Sequence, residues 1–368
     1  MTAIPEKIQT WEMARPWGKD NETGQIIEGE LEKREIPTPE LKEGEVLVEI
    51  AGCGVCHTDL GFFYDGVPTV SKPPLTLGHE ISGRVVSGDE GWIGKEVIIP
   101  GAMPCRKCYL CKIGRGNRCL DQKMPGNSLG VYGGFASHIP VPSIDLCEVK
   151  NRGETPLEHL AVIADAGTTP YQAAIKADVG PGDNVIVVGV GGVGQYMVQI
   201  AKALGSATVV AIDIDDERLQ KMLSHGADFA INSKEKSSKD ISNELKAIRK
   251  KNGLPNYGWK IFEVSGTKPG QDLALSMLGF IGKLVIIGFG LQQIEYSISR
   301  LMAFDAEIIG VWGCLPEYYP IVLNMVLRKD INIDPFVQTR LMSTIAETFE
   351  EIHRRGSPIK RVVLTPDF

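Results

Sequence analysis

The chain has 368 residues, 43% of them hydrophobic and 23% charged, with a formal net charge of −7. That length exceeds one compact core and points to two domains of ordinary soluble composition, while the acidic balance argues against a nucleic-acid partner, which needs a basic face. No apolar run reaches the length of a membrane span and the opening MTAIPEKIQTWEMARP lacks a basic-then-apolar signal pattern, so no membrane association and a cytoplasmic location are expected.

Up to about residue 160 the chain offers short Val- and Ile-rich strands, EVLVEI from 45 and EVIIP from 96, broken at close intervals by Gly and Pro. This texture predicts a mostly-β domain with long loops. Two stretches here carry potential ligands, Gly54-Val55-Cys56-His57-Thr58-Asp59 and Gly78-His79-Glu80, and a third, Ala164-Asp165-Ala166-Gly167-Thr168-Thr169, follows at the domain's end. One thiolate, one imidazole and one carboxylate would leave a fourth position on a metal for water or substrate, as a catalytic zinc requires. Cys53 with Cys56 also reads as a redox C-x-x-C pair, a weak reading because no thioredoxin-like unit surrounds it.

Between residues 100 and 125 lies the quartet Cys105, Cys108, Cys111 and Cys119, spaced C-x2-C-x2-C-x7-C. Four thiolates close a tetrahedral shell and leave no place for substrate, so the preferred reading is a structural zinc lobe. An iron–sulfur cluster or a disulfide pair are the alternatives; the first is disfavoured because a ferredoxin-type run would bring its fourth cysteine after three residues with a proline behind it. Cys147 and Cys314 read as buried thiols, and the overall cysteine usage suits a reducing compartment.

From about Asn184 the texture changes. Apolar runs VIVVGV (185), TVVAID (208), FAIN (229), KIFEV (260) and KLVIIG (283) alternate with helical patterns, predicting a doubly wound parallel sheet covered on both faces. In the first crossover Met197, Ile200, Ala201 and Leu204 share a helical face ending at Gly205; a later helix is expected to start with Asp240 as its N-cap and to bury Ile241, Leu245 and Ile248. The lysine-rich stretch 234–251 is interrupted by acids and reads as a solvated helix face. After about Leu315 a helix, IDPFV, a second helix through His353 and the strand RVVLTP form a tail expected to rejoin the first domain.

Directly after VIVV comes Gly189-Val190-Gly191-Gly192-Val193-Gly194, opening a helix, and Asp213 ends the next strand. Gly189 permits the tight turn, Gly191 the approach of backbone to a pyrophosphate, and Gly194 close packing of helix on strand. In this strand–helix context the fingerprint is specific for a dinucleotide. Asp213 would accept the ribose hydroxyls and repel a 2′-phosphate, favouring NAD over NADP, with Arg218 nearby to soften the preference; the plainer reading is that Asp213 only caps a helix.

The order Cys56, Gly78-His79-Glu80, cysteine quartet and glycine fingerprint resembles the medium-chain zinc-dependent alcohol dehydrogenases over nearly the whole chain, including Gly133-Gly134-Phe135-Ala136, Thr168-Thr169-Pro170-Tyr171 and Phe262-Glu263-Val264-Ser265-Gly266. The resemblance implies an α/β architecture, with a GroES-like mostly-β catalytic domain (1–165), a doubly wound Rossmann coenzyme domain (166–315) and a return to the catalytic domain (316–368). It implies NAD and two zinc ions per chain, the catalytic one held by Cys56, His79 and Asp165, where many members carry cysteine at the third place. Glu80 is implied in the outer shell or as an exchanging ligand, and Asp59 as the acceptor orienting His79. Thr58 would take part in proton transfer from the alcohol. His57 would contact the pyrophosphate or relay that proton, since Gly61 stands where many members have the relay histidine; a plain structural role for His57 is the third reading. Gly189, Gly191, Gly192, Val193, Gly194, Asp213, Arg218, Val264, Ser265 and Thr169 would bind the cofactor.

Stretches such as WEMARPWG (11–18) and ADAGTTPYQAAIKAD (164–178) are similar to the branch of the family that oxidises alicyclic hydroxyacyl-CoA thioesters. That implies an alicyclic acyl-CoA as small-molecule substrate and a homodimer or homotetramer. A polyol or simple alcohol, hydride delivery to an enoyl-CoA double bond, and a non-catalytic NAD-binding zinc protein are the competing readings. Arg106, Lys107, Lys112, Arg115, Arg118 and Arg300 are candidates to meet CoA phosphates, although a solvated surface role is the plainer one.

Overall fold

The computed structural model describes residues 4–20, 22–356 and 358–368. The chain forms two compact units, one of residues 1–168, 313–327 and 333–368, the other of residues 169–312 and 328–332.

The first unit is built on a sheet whose path runs Cys147–Glu148, Glu96–Ile99, Glu80–Gly88, Glu45–Gly54, Arg361–Thr365, Val337–Leu341, with His138–Pro142 also pairing to Glu45–Gly54. All pairings are antiparallel except Val337–Leu341 with Arg361–Thr365. Alternating Val and Ile side chains suit a pleated surface, and Val46, Val48, Ile81, Val97, Phe135, Phe349 and Val362 pack into one core. Register is what matters for the chemistry. Gly54 faces Glu80 on one side and Val363 on the other, so the ends of three strands bring Cys56, His79 and Arg361 to one place.

The second unit is a six-stranded, all-parallel sheet in the order Phe229–Asn232, Thr208–Asp213, Asn184–Val188, Lys260–Glu263, Lys283–Ile286, Glu307–Gly310. Its first strand in sequence lies inside the sheet and the order reverses there, which opens a crevice beyond the carboxyl ends where dinucleotides bind. Thr208–Asp213 is buried along its whole length, as expected for a strand covered on both faces.

Met197, Ile200 and Ala201 are buried by the helix Gly194–Ala203, Leu204 is half-buried at its C-cap, and Gly205 takes φ +94°. The later helix corrects one expectation. Ser237, not Asp240, is the N-cap of Ser238–Asn252, and Asp240 sits at the third helical position, returning a hydrogen bond to the Ser237 N–H at 3.0 Å. Ser237 wins because the capping box satisfies two otherwise orphaned N–H groups, about 1 kcal/mol of stability. Ile241 and Leu245 are buried, while Ile248 is only half-buried. Among the described residues no helix is long and apolar enough to cross a membrane.

Candidate active site and metal centres

Leaving the strand Glu45–Gly54, the chain turns through Cys56, the N-cap of the short helix His57–Phe63. The Asp59 carboxylate, fully buried, accepts the Cys56 N–H at 3.0 Å, the Gly78 N–H at 3.1 Å and the Nδ1–H of His79 at 3.1 Å. One carboxylate thus locks two ligand-bearing segments together and leaves Nε2 of His79 facing the centre. Gly78 is required here: its φ is +96°, and a Cβ would lie 2.7 Å from Cys53 Sγ. Burial, the largest single effect, disfavours a charged His79, but Asp59, Asp165 and Cys56 together outweigh it and raise the imidazole well above its ordinary value.

Asp165 completes the centre from the end of the 3-10 helix Glu158–Ala164. Its Oδ2 lies 3.8 Å from Cys56 Sγ and 3.7 Å from His79 Nε2, and one ligand atom each from Cys56, His79, Glu80 and Asp165 all fall within 4.8 Å of one another. Ligands held at about 2.0–2.3 Å by a tetrahedral ion are spaced ~3.3–3.8 Å apart, so the donor set fits zinc. Thr58 Oγ1 is 3.6 Å from Cys56 Sγ. His57 and Thr58 are exposed on the same turn, and Gly61 is buried one turn on, where a Cβ would meet only Val67 at 3.5 Å.

Glu80 is fully buried and held by Arg361, whose Nε donates to Oε2 at 2.7 Å and whose Nη2 donates to Oε1. Burial raises the Glu80 carboxyl with Arg361 opposing the shift; burial is also the largest effect on Arg361 and works against its charge, but Glu80, Cys56 and Asp165 together outweigh it and hold the guanidinium well above its ordinary value. Arg361 has no motif around it, and sequence reasoning missed it. The available signal was Glu80 itself, since a carboxylate beside an interior histidine and thiol needs a cation.

The cysteine quartet is a separate, more exposed cluster. Sγ–Sγ distances of 3.5 Å (Cys108–Cys111), 3.8 Å (Cys108–Cys119) and 4.0 Å (Cys105–Cys111) match the edges of a ZnS4 tetrahedron, and no disulfide joins any of the eight cysteines. Backbone N–H groups point at the sulfurs, from Cys105 to Cys119 at 3.2 Å and from Cys108 to Cys105 at 3.4 Å. The Cys111 amide leads the effects that pull Cys108 down to about 6, while burial lifts Cys111 to about 12. Arg106, a candidate for CoA phosphate, instead pairs with the buried Asp145 and faces Glu317, so the lobe uses it for docking onto its own unit. Arg300 lies over the rings of Tyr296 and Phe304.

In the second unit Gly189 takes φ +87°, and a Cβ there would lie 2.8 Å from Ser265 Cα, so the glycine turn and the Phe262–Gly266 turn touch. Gly191 is open apart from Arg218 Nη1, 3.5 Å from a built Cβ, and Val193 caps the helix Gly194–Ala203. Asp213 accepts the Val190 N–H at 2.7 Å with one oxygen and the Ile214 and Asp215 N–H groups with the other. Helix capping falls to Asp215, which accepts from Glu217 and Arg218. Glu263 accepts N–H groups of Ser265 and Gly266 and the Ser265 hydroxyl, shaping the turn that carries Val264 and Ser265. Thr169 is buried in the first turn of Thr168–Lys176.

Family profiles agree with this anatomy: an alcohol dehydrogenase GroES-like domain matches residues 42–151 and a zinc-binding dehydrogenase matches residues 192–328. An alcohol dehydrogenase of Geobacillus stearothermophilus is 36% identical over 92% of this chain and 96% of its own length. The chain belongs to the zinc-dependent medium-chain alcohol dehydrogenases. With that membership come the GroES-like and Rossmann-like folds, oxidoreductase activity at CH–OH groups, and dependence on zinc and NAD. The sorbitol dehydrogenase of Bacillus subtilis is 27% identical to this dehydrogenase over 78% of the chain and 81% of its own length. The crystal structure of galactitol-1-phosphate dehydrogenase from Escherichia coli superposes with a TM-score of 0.83 at 26% identity, covering 97% of this chain and all of its own.

Proposed function

We propose that this dehydrogenase holds its catalytic zinc with Cys56, His79 and Asp165 and its structural zinc with Cys105, Cys108, Cys111 and Cys119, and that it oxidises 6-hydroxycyclohex-1-ene-1-carbonyl-CoA to the 6-oxo thioester. Convergence of a thiolate, an imidazole and a carboxylate on one buried centre carries the site assignment. When bound, zinc would supply Lewis acidity toward the substrate oxygen and NAD a hydride acceptor. The chain's own residues do the rest. Asp59 fixes the His79 tautomer, Arg361 holds Glu80 beside the centre, and Thr58, on the exposed first turn of its helix, takes the hydroxyl proton at Oγ1 and passes it outward with His57 or water in place of a histidine at Gly61. Gly189, Gly191, Gly192, Val193 and Gly194 face the pyrophosphate, Asp213 the ribose with Arg218 beside it, and Thr169, Val264 and Ser265 the rest of the cofactor.

The substrate rests on resemblance to 6-hydroxycyclohex-1-ene-1-carbonyl-CoA dehydrogenase in WEMARPWG (11–18) and ADAGTTPYQAAIKAD (164–178), the latter containing Asp165. NAD reduction with the cyclic hydroxyacyl-CoA, set beside sorbitol, xylitol and simple alcohols, tests it. The thioester should give a kcat/KM at least a hundredfold above the others; a polyol preference would sink the assignment. Unbridged cysteines support a reducing, cytoplasmic setting. A homodimer or homotetramer is supported by the sheet's edge strand Glu307–Gly310, which exposes Ile308.

A further inference from the structure

Tyr319 opens the helix Tyr319–Leu327 and is 1% exposed, and its hydroxyl makes hydrogen bonds to two backbone groups. It donates to the Ala164 carbonyl at 2.6 Å and accepts the Gly101 N–H at 3.0 Å. Three segments meet there: a Cβ built on Gly101 would lie 3.5 Å from the Ala164 carbonyl oxygen, 3.7 Å from that of His79 and 3.9 Å from the Tyr319 hydroxyl. Gly101 leads from the strand Glu96–Ile99 into the cysteine lobe.

Ala164 immediately precedes Asp165. A carbonyl and the following N–H share one rigid plane, so anchoring the Ala164 oxygen sets the direction in which the Asp165 Cα leaves the peptide. Asp165 itself has left the helical conformation, with φ −141° and ψ −60°. A carboxylate ligand also has a second side-chain torsion that a thiolate lacks, so it depends more on a fixed backbone.

We propose that Tyr319 is a positioning residue for the catalytic metal: its hydroxyl clamps the Ala164 carbonyl against Gly101 and so aims the Asp165 carboxylate at Cys56 and His79. This rests on Asp165 being a metal ligand. Tyr319 touches neither substrate nor cofactor in this role; it acts through Asp165 alone, as an outer-shell partner whose loss weakens metal binding by about tenfold or more.

The experiment is cobalt(II) titration of the zinc-stripped, full-length chain, read by the visible spectrum of the open centre, for the natural protein, Tyr319→Phe, Asp165→Ala and the double variant. Tyr319→Phe should bind cobalt at the open centre about tenfold more weakly and with an altered spectrum, while the quartet keeps its own affinity. In the Asp165→Ala background, Tyr319→Phe should cost no further affinity, because the link it breaks is already gone. Val326→Ala, a buried change on the same helix, should lower the unfolding midpoint and leave the spectrum unchanged.

An unaltered spectrum and affinity in Tyr319→Phe, with Asp165→Ala deficient, overturns the Tyr319 link alone, whatever the variant's melting temperature. Natural affinity in Asp165→Ala overturns the ligand assignment and the link together. Should Tyr319→Phe fail to fold, hydrogen exchange on the natural chain decides. By reciprocity, metal at the open centre must slow exchange at Gly101 and at the amides following Ala164 together, and unchanged exchange at Gly101 contradicts the proposal.

Discussion

The two candidate metal sites of this chain are built on opposite plans. The quartet draws all its sulfurs from residues 105–119, is only partly buried, and is shaped by backbone N–H groups reaching its sulfurs. The open centre gathers Cys56, His79 and Asp165 from separate segments, buries most of their surface, and orients them through a second layer of Asp59 and the Glu80–Arg361 pair. A loop that encodes its own ligands relies on the ion to organise it, whereas a centre assembled by sheet register has its shape before the ion arrives. Metal loss should therefore unravel the lobe but only silence the centre.

The largest effect that separates the two is Asp165→Ala. Turnover should fall roughly a thousandfold, about 4 kcal/mol of transition-state stabilisation, with the unfolding midpoint unchanged within experimental spread. Comparable turnover in the variant would break the contrast at its root. Next comes Arg361→Ala, which leaves Glu80 buried without its cation. Denaturant unfolding should show a loss of about 3–5 kcal/mol, because an uncompensated interior charge is costly, and a loss under 1 kcal/mol would mean that Glu80 needs no partner.

Cys105→Ser should act on the other side of the comparison. Zinc content is expected to drop from two ions to one, residues 100–125 should become sensitive to limited proteolysis, and the turnover of the intact fraction should fall less than tenfold. A loss of turnover as deep as that of Asp165→Ala would erase the distinction.

The smallest effect concerns the quartet at neutral pH just after its metal is stripped, before the lobe unravels. Cys108, at about 6, is mostly thiolate at pH 7, whereas Cys111, at about 12, is still a thiol. Iodoacetamide should label Cys108 first and Cys111 last, and the difference should shrink as pH falls below 6 and Cys108 takes up its proton. Bound zinc should protect all four, and equal labelling at pH 7 would mean that the lobe's amides do not shape its thiols.

How far the sequence could be read follows the same division. Local signals were complete: the quartet's spacing, the Gly189–Gly194 fingerprint between strand and helix, and the apolar runs of the parallel sheet all depend on neighbours in the chain. Long-range partners were not. Arg361 meets Glu80 across 281 positions, and only the register of Gly54 with Glu80 and Val363 brings them together. Tyr319 is likewise unremarkable in its sequence context, its hydroxyl serving Ala164 and Gly101 through backbone atoms that no side-chain pattern betrays. The Asp240 cap was misplaced because Ser237 and Asp240 are both good capping residues, and which one leads depends on where the preceding loop turns.

The central claim is that the buried Cys56–His79–Asp165 centre, not the quartet, carries the chemistry. Timed removal of metal from the natural protein by a chelator, with zinc content, turnover and far-ultraviolet circular dichroism followed together, tests it most directly. The account predicts two zinc ions per chain, one leaving first with all the turnover while the dichroism is unchanged, and turnover returning when that ion is restored. A single zinc per chain, or turnover that survives departure of the first ion and disappears only as the lobe unravels, would contradict it.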